Sequence, residues 1–409
     1  MRAAVTSFTL NSLTSINIEY YYTMQLLQKI TYVYLLCSLF VGRIVCNLLV
    51  FIAPIFRKKP IKDFLFLPYT HKDNSGTRAR VQDYLPFFEK DGYTYDVHYI
   101  CDAQYYTWVY YAPKKNKIRE YLFYSHIFWS RLIWCFHSRN YRTVFYQRSL
   151  FPDFYDQRGT PLEKLMRAYN SDIIVDYFDA DYVDNPQLIH AVIRECDTLT
   201  LVNDFLLNYF KNYHANLYLN DLSIDTERYI QKTNFDITQP VRIFWTGNID
   251  NLLHVYQLLP ILRRLHTKYP IRLVIVGRSK GEILDDFVEH HLWSEETFND
   301  LITSSDIAVY PAFIVNDITL GKVAYKCLEY ATCKVPMIAS PYGLSSRFTE
   351  SDVLIARTEE EWYNAFIELI ENKERRVQLA ENAYQKILNY HDTKATYRNF
   401  VKILTSRWT

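Results

Sequence analysis

Glycine is scarce in this chain, nine in 409 residues, and the glycine-dependent phosphate motifs are missing with it. No G-x-G-x-x-G with a trailing acid supports a dinucleotide site, and no P-loop is present. No G-x-S-x-G marks a nucleophile elbow. Seven cysteines (37, 46, 101, 135, 196, 327 and 333) are scattered, odd in number and without a C-x-x-C. They read as reduced thiols in a cytosolic setting, not as a disulfide framework or a zinc site. Eleven histidines include the pair His290-His291 but no H-E-x-x-H, so no structural metal is expected. A net charge of +1 gives no support to nucleic-acid binding. There is no internal repeat and no low-complexity tract.

What is present is a globular composition. Hydrophobic residues make up 49% and charged residues 22%, and the length suffices for two domains with sizeable cores. Aromatics reach 17%, with 36 tyrosines, read mainly as a compositional bias. Residues 30–56, ITYVYLLCSLFVGRIVCNLLVFIAPIF, carry one charge, Arg43, and are followed by RKKPIK. The run is long enough to span a bilayer, longer than a signal-peptide core, and followed by no small-residue cleavage site. The basic flank keeps the large domain cytoplasmic. A mid-segment arginine is costly in a span. Gln25, Lys29, Arg43 and Asn47 project to one side, a stripe interrupted by Leu36 and Phe40, and an interfacial helix fits this pattern. The reading is membrane association, with span or surface left open. Residues 1–23 show no periodic pattern, and Met24 reads as an alternative start.

From residue 61 strands and helices alternate. KDFLFLPYT, YTYDVHYI, YRTVFYQ, SDIIVDYF and DTLTLVN are strand candidates separated by helical stretches, one of them RARVQDYLPFFEKDG. A second series runs VRIFWTGN, helix, IRLVIVG, helix, DIAVYPA, VPMIAS and DVLIA, and ends in one or two amphipathic helices over 359–390. Ser294 is placed to cap the helix in WSEETFNDLITSS. Apolar runs without alternation point to parallel strands buried on both faces. The expected class is α/β: two doubly wound Rossmann-like domains facing across a cleft, plus an N-terminal hydrophobic helix. DLSIDTERYIQKTNFDITQP reads as the connection between them.

The segment LGKVAYKCLEYATCKVPMIASPYG, 320–343, poses the chemical question. It reads as a helix, capped by Asp317 or Thr319, followed by a buried strand. Lys322 then falls in the first turn, where the macrodipole disfavours a cation. Lys322, Lys326 and Glu329 follow at i, i+4 and i+7 on one face. A helix N-terminus binds phosphate, and a lysine is tolerable there if an anion sits between it and the dipole. Two lysines suit a diphosphate, and Glu329 suits ribose hydroxyls. The plain alternative is a solvated stripe with a Lys326–Glu329 pair. Gly321 before the lysine and the strand–loop–helix context favour the anion.

LEYATCKVPMIASPYG resembles the LEAMACGVPVIASxxG signature of GT-B glycosyltransferases, the large retaining group that uses nucleotide sugars. SSDIAVYPA resembles the strand before that site. WTGN, IVG, WSEET, VFYQRSLFP and IIVDYFDA fit the same group, so the resemblance covers roughly 62–390. It implies that Glu329 contacts the nucleotide ribose and that reaction proceeds with retention, without metal or cofactor. Candidates for the donor pocket are Gly247, Asn248, Asp317 and Gly321, with Gly277-Arg278 after IRLVIV, where a plain turn is the alternative; Gly76 and Arg148, just past a strand, are the acceptor-side candidates, with a surface ion pair the alternative for Arg148. The family's Glu-x7-Glu pair is incomplete here. Gly321 occupies the first position, and Asp317 or Asn316 is the candidate substitute. The Arg and Lys usual after the first strand of the second domain are absent from WTGNIDNLLH, which shifts the diphosphate onto Lys322 and Lys326. The triplet Asp179-Ala-Asp181 is read as structural rather than as a metal site.

The expected organisation is therefore a membrane-associated segment (1–60), an acceptor domain (61–222), a nucleotide-sugar domain (223–390) and a C-terminal helix (391–409) packing back on the first domain. The expected activity is transfer of a sugar from a nucleotide-sugar donor to a hydroxyl of a glycan or lipid-linked acceptor, on the cytoplasmic face of the membrane. A nucleotide-sugar epimerase of the same fold and a non-catalytic membrane scaffold are the alternatives. No catalytic base is assigned.

Overall fold

The structure is a computed structural model that describes residues 2–56, 59–111, 116–151, 159–277 and 285–408. A first six-stranded sheet is built from β1 (Lys62–Leu67), β2 (Tyr95–Val97), β3 (Tyr141–Gln147), β4 (Ile173–Tyr177), β5 (Thr198–Leu201) and β6 (Leu217–Leu219), in the order β2-β1-β3-β4-β5-β6. A second holds β7 (Val241–Thr246), β8 (Ile271–Gly277), β9 (Val288–Leu292), β10 (Ile307–Tyr310), β11 (Met337–Ala339) and β12 (Leu354–Ile355), in the order β12-β11-β10-β7-β8-β9. Both are parallel α/β sheets, as the apolar runs imply. FLFL in β1 and IIVDY in β4 are buried throughout, because helices cover both faces.

The chain resolves into two compact units, one of residues 1–77, 93–175 and 194–197, the other of 78–92, 176–193 and 198–409. In the first, the N-terminal helix Arg2–Ile52 is continuous, so helix begins well before the apolar run at residue 30. Its Leu35, Leu39 and Cys46 are buried, as is Ala53 in the turn that follows. In the second, Val241, Ile243 and Trp245 of β7 pack with Val255, Leu258 and Leu262 of the helix Leu252–His266 and with Trp362 and Phe366 of the helix Glu359–Glu371. The final helix, Thr393–Leu404, lays Tyr397 and Phe400 on Tyr84 and Phe88.

Three features depart from the sequence pattern. The single helix expected over 78–92 is broken into Ser75–Arg80, a turn, and Leu85–Lys90, with Pro86 at the start of the latter. Strands β6 and β9 are additional. Both are sheet edges, and VEHHL in β9 carries the polar residues that edges favour and that mask a strand pattern. Ser294 does cap Glu295–Thr303, its hydroxyl accepting from Thr297 N–H at 3.3 Å.

A buried ion pair fastens the second unit. Arg80 and Asp176 are fully buried, and the guanidinium donates through both Nε and Nη2 to the carboxylate. Thr200 Oγ1 donates to the same carboxylate at 2.7 Å, and Arg80 Nη1 also donates to the Asn220 and Asp221 carbonyls. Removing one partner strands the other charge in a dry interior. Asp176→Ala should therefore cost about 3–5 kcal/mol, read by chemical unfolding against the parent protein. A loss well below that range would show that the pair is hydrated.

Candidate functional site

The site grows from the carboxyl ends of β7 and β10, where ligands bind open α/β sheets. After β10 the chain forms a short helix, Asp317–Leu320, capped by Asn316, whose Oδ1 accepts from Thr319 N–H at 2.9 Å. Gly321 closes it, and a second helix runs Tyr325–Thr332. This corrects the single-helix reading. Lys322 lies in the turn between the helices, so only Lys326 and Glu329 share a helical face, and Asp317 and Thr319 belong to the earlier helix. The cause is tertiary. Asn203 Nδ2 donates to the Leu320 and Lys322 carbonyls at 2.9 and 3.2 Å, and Ala324 N–H is taken by the Gly343 carbonyl at 2.7 Å. Ala324 then starts the second helix with no side-chain cap, leaving Lys326 in its first turn.

Lys326 is recessed among aromatic rings. Its Nζ lies 4.6 Å from the Trp245 ring centroid and 5.8 Å from that of Tyr310. Gly247 makes room for it: a Cβ there would sit 2.9 Å from Nζ and 2.7 Å from the indole. Neither Lys322 nor Lys326 makes an ion pair among the described residues. Burial first, and then the charge of Lys322, push the Lys326 ammonium down to about 8, against the attraction of Glu329. His254, on the helix after β7, is held below its ordinary value by burial and by both lysines. Its Nδ1 accepts from Phe313 N–H at 3.3 Å, which suits a neutral ring. Cations converge here without a full counter-charge, and the uncapped helix start adds its positive end.

Glu329 is pushed up to about 7, chiefly by burial, while Tyr229, Lys326 and Arg78 favour its charged form. Tyr229 OH donates to its Oε1 at 3.2 Å. Tyr229 comes from the connecting segment and burial raises its phenol. Gly321 is packed so closely that a Cβ would meet Ala180 Cβ at 2.6 Å and the Asp317 carbonyl at 2.9 Å. No side chain can project from the position of the missing family glutamate. Asp317 is exposed and accepts from Tyr182 OH at 2.8 Å, and Asn316 is used as a cap.

The remaining candidates divide. Gly247 N–H donates to the Val276 carbonyl at 3.1 Å, which sets Gly277 beside it at the end of β8. Asn248 is exposed beyond β7, and Arg278 lies outside the described residues. In the first unit, Gly76 lies beside Gln147, the residue before Arg148: Gln147 Nε2 donates to the Gly76 carbonyl at 3.2 Å, while Arg148, at a φ of 59°, stacks 4.5 Å from the Tyr69 ring. Asp181 opens a one-turn helix, and no group of three His, Cys, Asp or Glu forms a metal cluster among the described residues. Trp245, His254, Tyr310 and Tyr229 were not singled out from the sequence. The signal available was limited to a Trp and a Gly at the end of β7 followed by a His seven residues beyond the Gly.

The chain is similar to known proteins in a stretch of its sequence and in its fold. Residues 258–402 match a family described as glycosyl transferase-like. Sucrose-phosphate synthase from Thermosynechococcus elongatus is similar in structure with a TM-score of 0.62 at 12% identity, covering 84% of this chain and 99% of that one. A glycosyltransferase from Rickettsia africae gives 0.60 at 11%, covering 85% and 98%. HepE of Anabaena, solved in complex with UDP-glucose, gives 0.59 at 11%, covering 84% and 100%. At such identities the likeness establishes the fold. No curated protein matches the chain in sequence.

The Gly321 contacts generate a direct test. Gly321→Glu, which writes the family residue back, should destabilise the protein by about 1–3 kcal/mol through overpacking and should not raise any activity. A thermal midpoint equal to the parent's would contradict the packing.

Proposed function

We propose that this glycosyltransferase of the GT-B fold moves a sugar from a nucleotide-sugar donor to a hydroxyl of a glycan or lipid-linked acceptor. The observation that carries the reading is the recessed, unpaired Lys326 ammonium beside an uncapped helix start. A free cation held partly out of water is costly, and a diphosphate relieves that cost. Lys322 and the first-turn amides would share the anion with it. As the glycosidic bond to the diphosphate breaks, negative charge grows on the leaving oxygen, where these groups stabilise it. Glu329 would accept from the ribose hydroxyls through the oxygen that Tyr229 leaves open. The resemblance supports retention and a reaction that needs no metal, and the chain's own cations supply the leaving-group stabilisation. Gly76 and Arg148 are proposed for the acceptor side. The apolar N-terminal segment with its basic flank supports action at the cytoplasmic face of the membrane.

A scaffold reading keeps one specific support, the closed position at Gly321. Donor binding separates the two. The purified protein is offered a panel of nucleotide sugars, and acceptor-dependent release of nucleoside diphosphate supports transfer. No binding of any donor supports the scaffold. Conversion of the donor without acceptor would instead indicate an epimerase.

Two outcomes follow for the site. Losing one charge-assisted contact in Lys326→Ala should weaken nucleoside diphosphate binding about 10- to 100-fold without moving the unfolding midpoint downward; an unchanged affinity removes the lysine from the site. The pH dependence has a definite sign. Glu329 is charged above about 7 and Lys326 below about 8, so affinity should peak between those values and fall on both sides. Lys326→Arg should hold the alkaline side up, because a guanidinium stays charged. Titration calorimetry across pH 6–9 reads both limbs, and a flat profile would contradict the assignment.

A further inference from the structure

We propose that the N-terminal helix lies in the plane of an anionic lipid surface and does not cross the bilayer. The proposal rests on the membrane-side reading above, not on the donor chemistry, and it names the partner and the mode of contact.

The helix Thr23–Phe56 is long and apolar enough to span a membrane by length and composition. Its faces say otherwise. At about 100° per residue, the buried residues Leu35, Leu39, Cys46 and Ala53 fall on one strip. That strip is docked on the helices Lys117–His137 and Pro161–Tyr169 of the same unit. Gly42 faces the Phe128 ring so closely that a Cβ would lie 2.2 Å from it. Polar bonds reinforce the docking. Trp129 Nε1 donates to Ser38 Oγ at 2.8 Å, Ser38 and Ser125 share a 2.8 Å bond, and Tyr169 OH donates to the Leu49 carbonyl at 2.9 Å. Crossing the bilayer would mean breaking these contacts or dragging Lys117, Arg119 and Glu120 of the partner helix in with them.

The opposite strip is apolar and uncovered. Ile30, Val33, Phe40, Ile44, Leu48 and Phe51 are between 46% and 83% exposed, on one line from Leu26 to Ile55. At 1.5 Å per residue that line is about 44 Å long, longer than a hydrocarbon core of about 30 Å. Gln25, Lys29, Arg43 and Asn47 project along one border between the docked and uncovered strips, where lipid headgroups would lie against an in-plane helix. Arg43 is unfavourable in the middle of a span and well placed at such a border. The lipid is anionic by charge: from Tyr20 to Ile61 the sequence has no Asp or Glu and five basic residues, at 29, 43, 57, 58 and 59. The same charge argues against an antiparallel second copy on this face, since that two-fold pairing would set the basic borders together.

Cys37 lies on the uncovered strip and is exposed, whereas the other six cysteines are buried or partly buried. It is a built-in probe for the full-length protein. A membrane-impermeant maleimide should label it in buffer and with phosphatidylcholine vesicles. Vesicles containing phosphatidylglycerol should slow the labelling about tenfold or more, and Phe40→Ser or Phe51→Ser should weaken vesicle binding by a similar factor with the unfolding midpoint unchanged. In a Cys37→Ser background, Gln25→Cys and Lys59→Cys should both be labelled from outside the vesicle. Protection of one end alone would show a span. Protection of Cys37 without vesicles, in a particle of twice the mass, would show a second copy. Equal labelling with and without anionic vesicles would also overturn the proposal, while transfer to a soluble acceptor in the same preparation would leave the enzymatic reading standing.

Discussion

A cation held partly away from water, with no carboxylate paired to it among the described residues, is the constraint around which the second sheet's site is arranged. β7 supplies Trp245 and the bare Gly247, β10 supplies Tyr310, and the Tyr325–Thr332 helix supplies Lys326 itself. The aromatic faces attract the ammonium, but they do not replace water as fully as an anion does. The site is therefore electrostatically incomplete, and that incompleteness is what the proposed diphosphate would relieve. His254 beside it is held below its ordinary value, first by burial and then by the charges of both lysines.

The segment that joins the two series of strands takes part in the site. Tyr229 reaches Glu329, while Lys232 fastens the same segment by its N–H to the Cys333 carbonyl and by its Nζ to the Thr303 carbonyl. The connection is thus tied to the middle and the carboxyl end of the helix that carries the candidate residues, and the Glu329 carboxylate is oriented by a residue outside its own motif. The first unit uses a different physics. There a long helix buries one strip on protein and leaves the other uncovered, with basic residues along and beyond it.

How much of this was legible in the sequence depends on whether local chemistry decided the outcome. FLFL, VFY, IIV and LVIV are continuous apolar runs, and each became part of an interior strand. LYL and VEHHL, at the sheet edges, carry no such run. Lys326 and Glu329 stay together because three residues along a helix always share a face. Lys322 left that face because Asn203, more than a hundred residues earlier, pins the backbone of the turn before it. Trp245, Tyr229 and His254 reach the site by tertiary packing alone, which no local pattern announces. The empty glutamate position was visible as Gly321, but the reason for it, Ala180 pressed against its Cα, was not.

The central claim is that Lys326 waits for an anion. Its titration can be followed directly by NMR of a lysine-selectively labelled sample, assigned by the Lys326→Arg variant, with and without inorganic pyrophosphate. The account predicts an ammonium that titrates near 8 in the free protein and moves upward when pyrophosphate is added. A lysine titrating at its ordinary value of 10.5 and indifferent to pyrophosphate would contradict it.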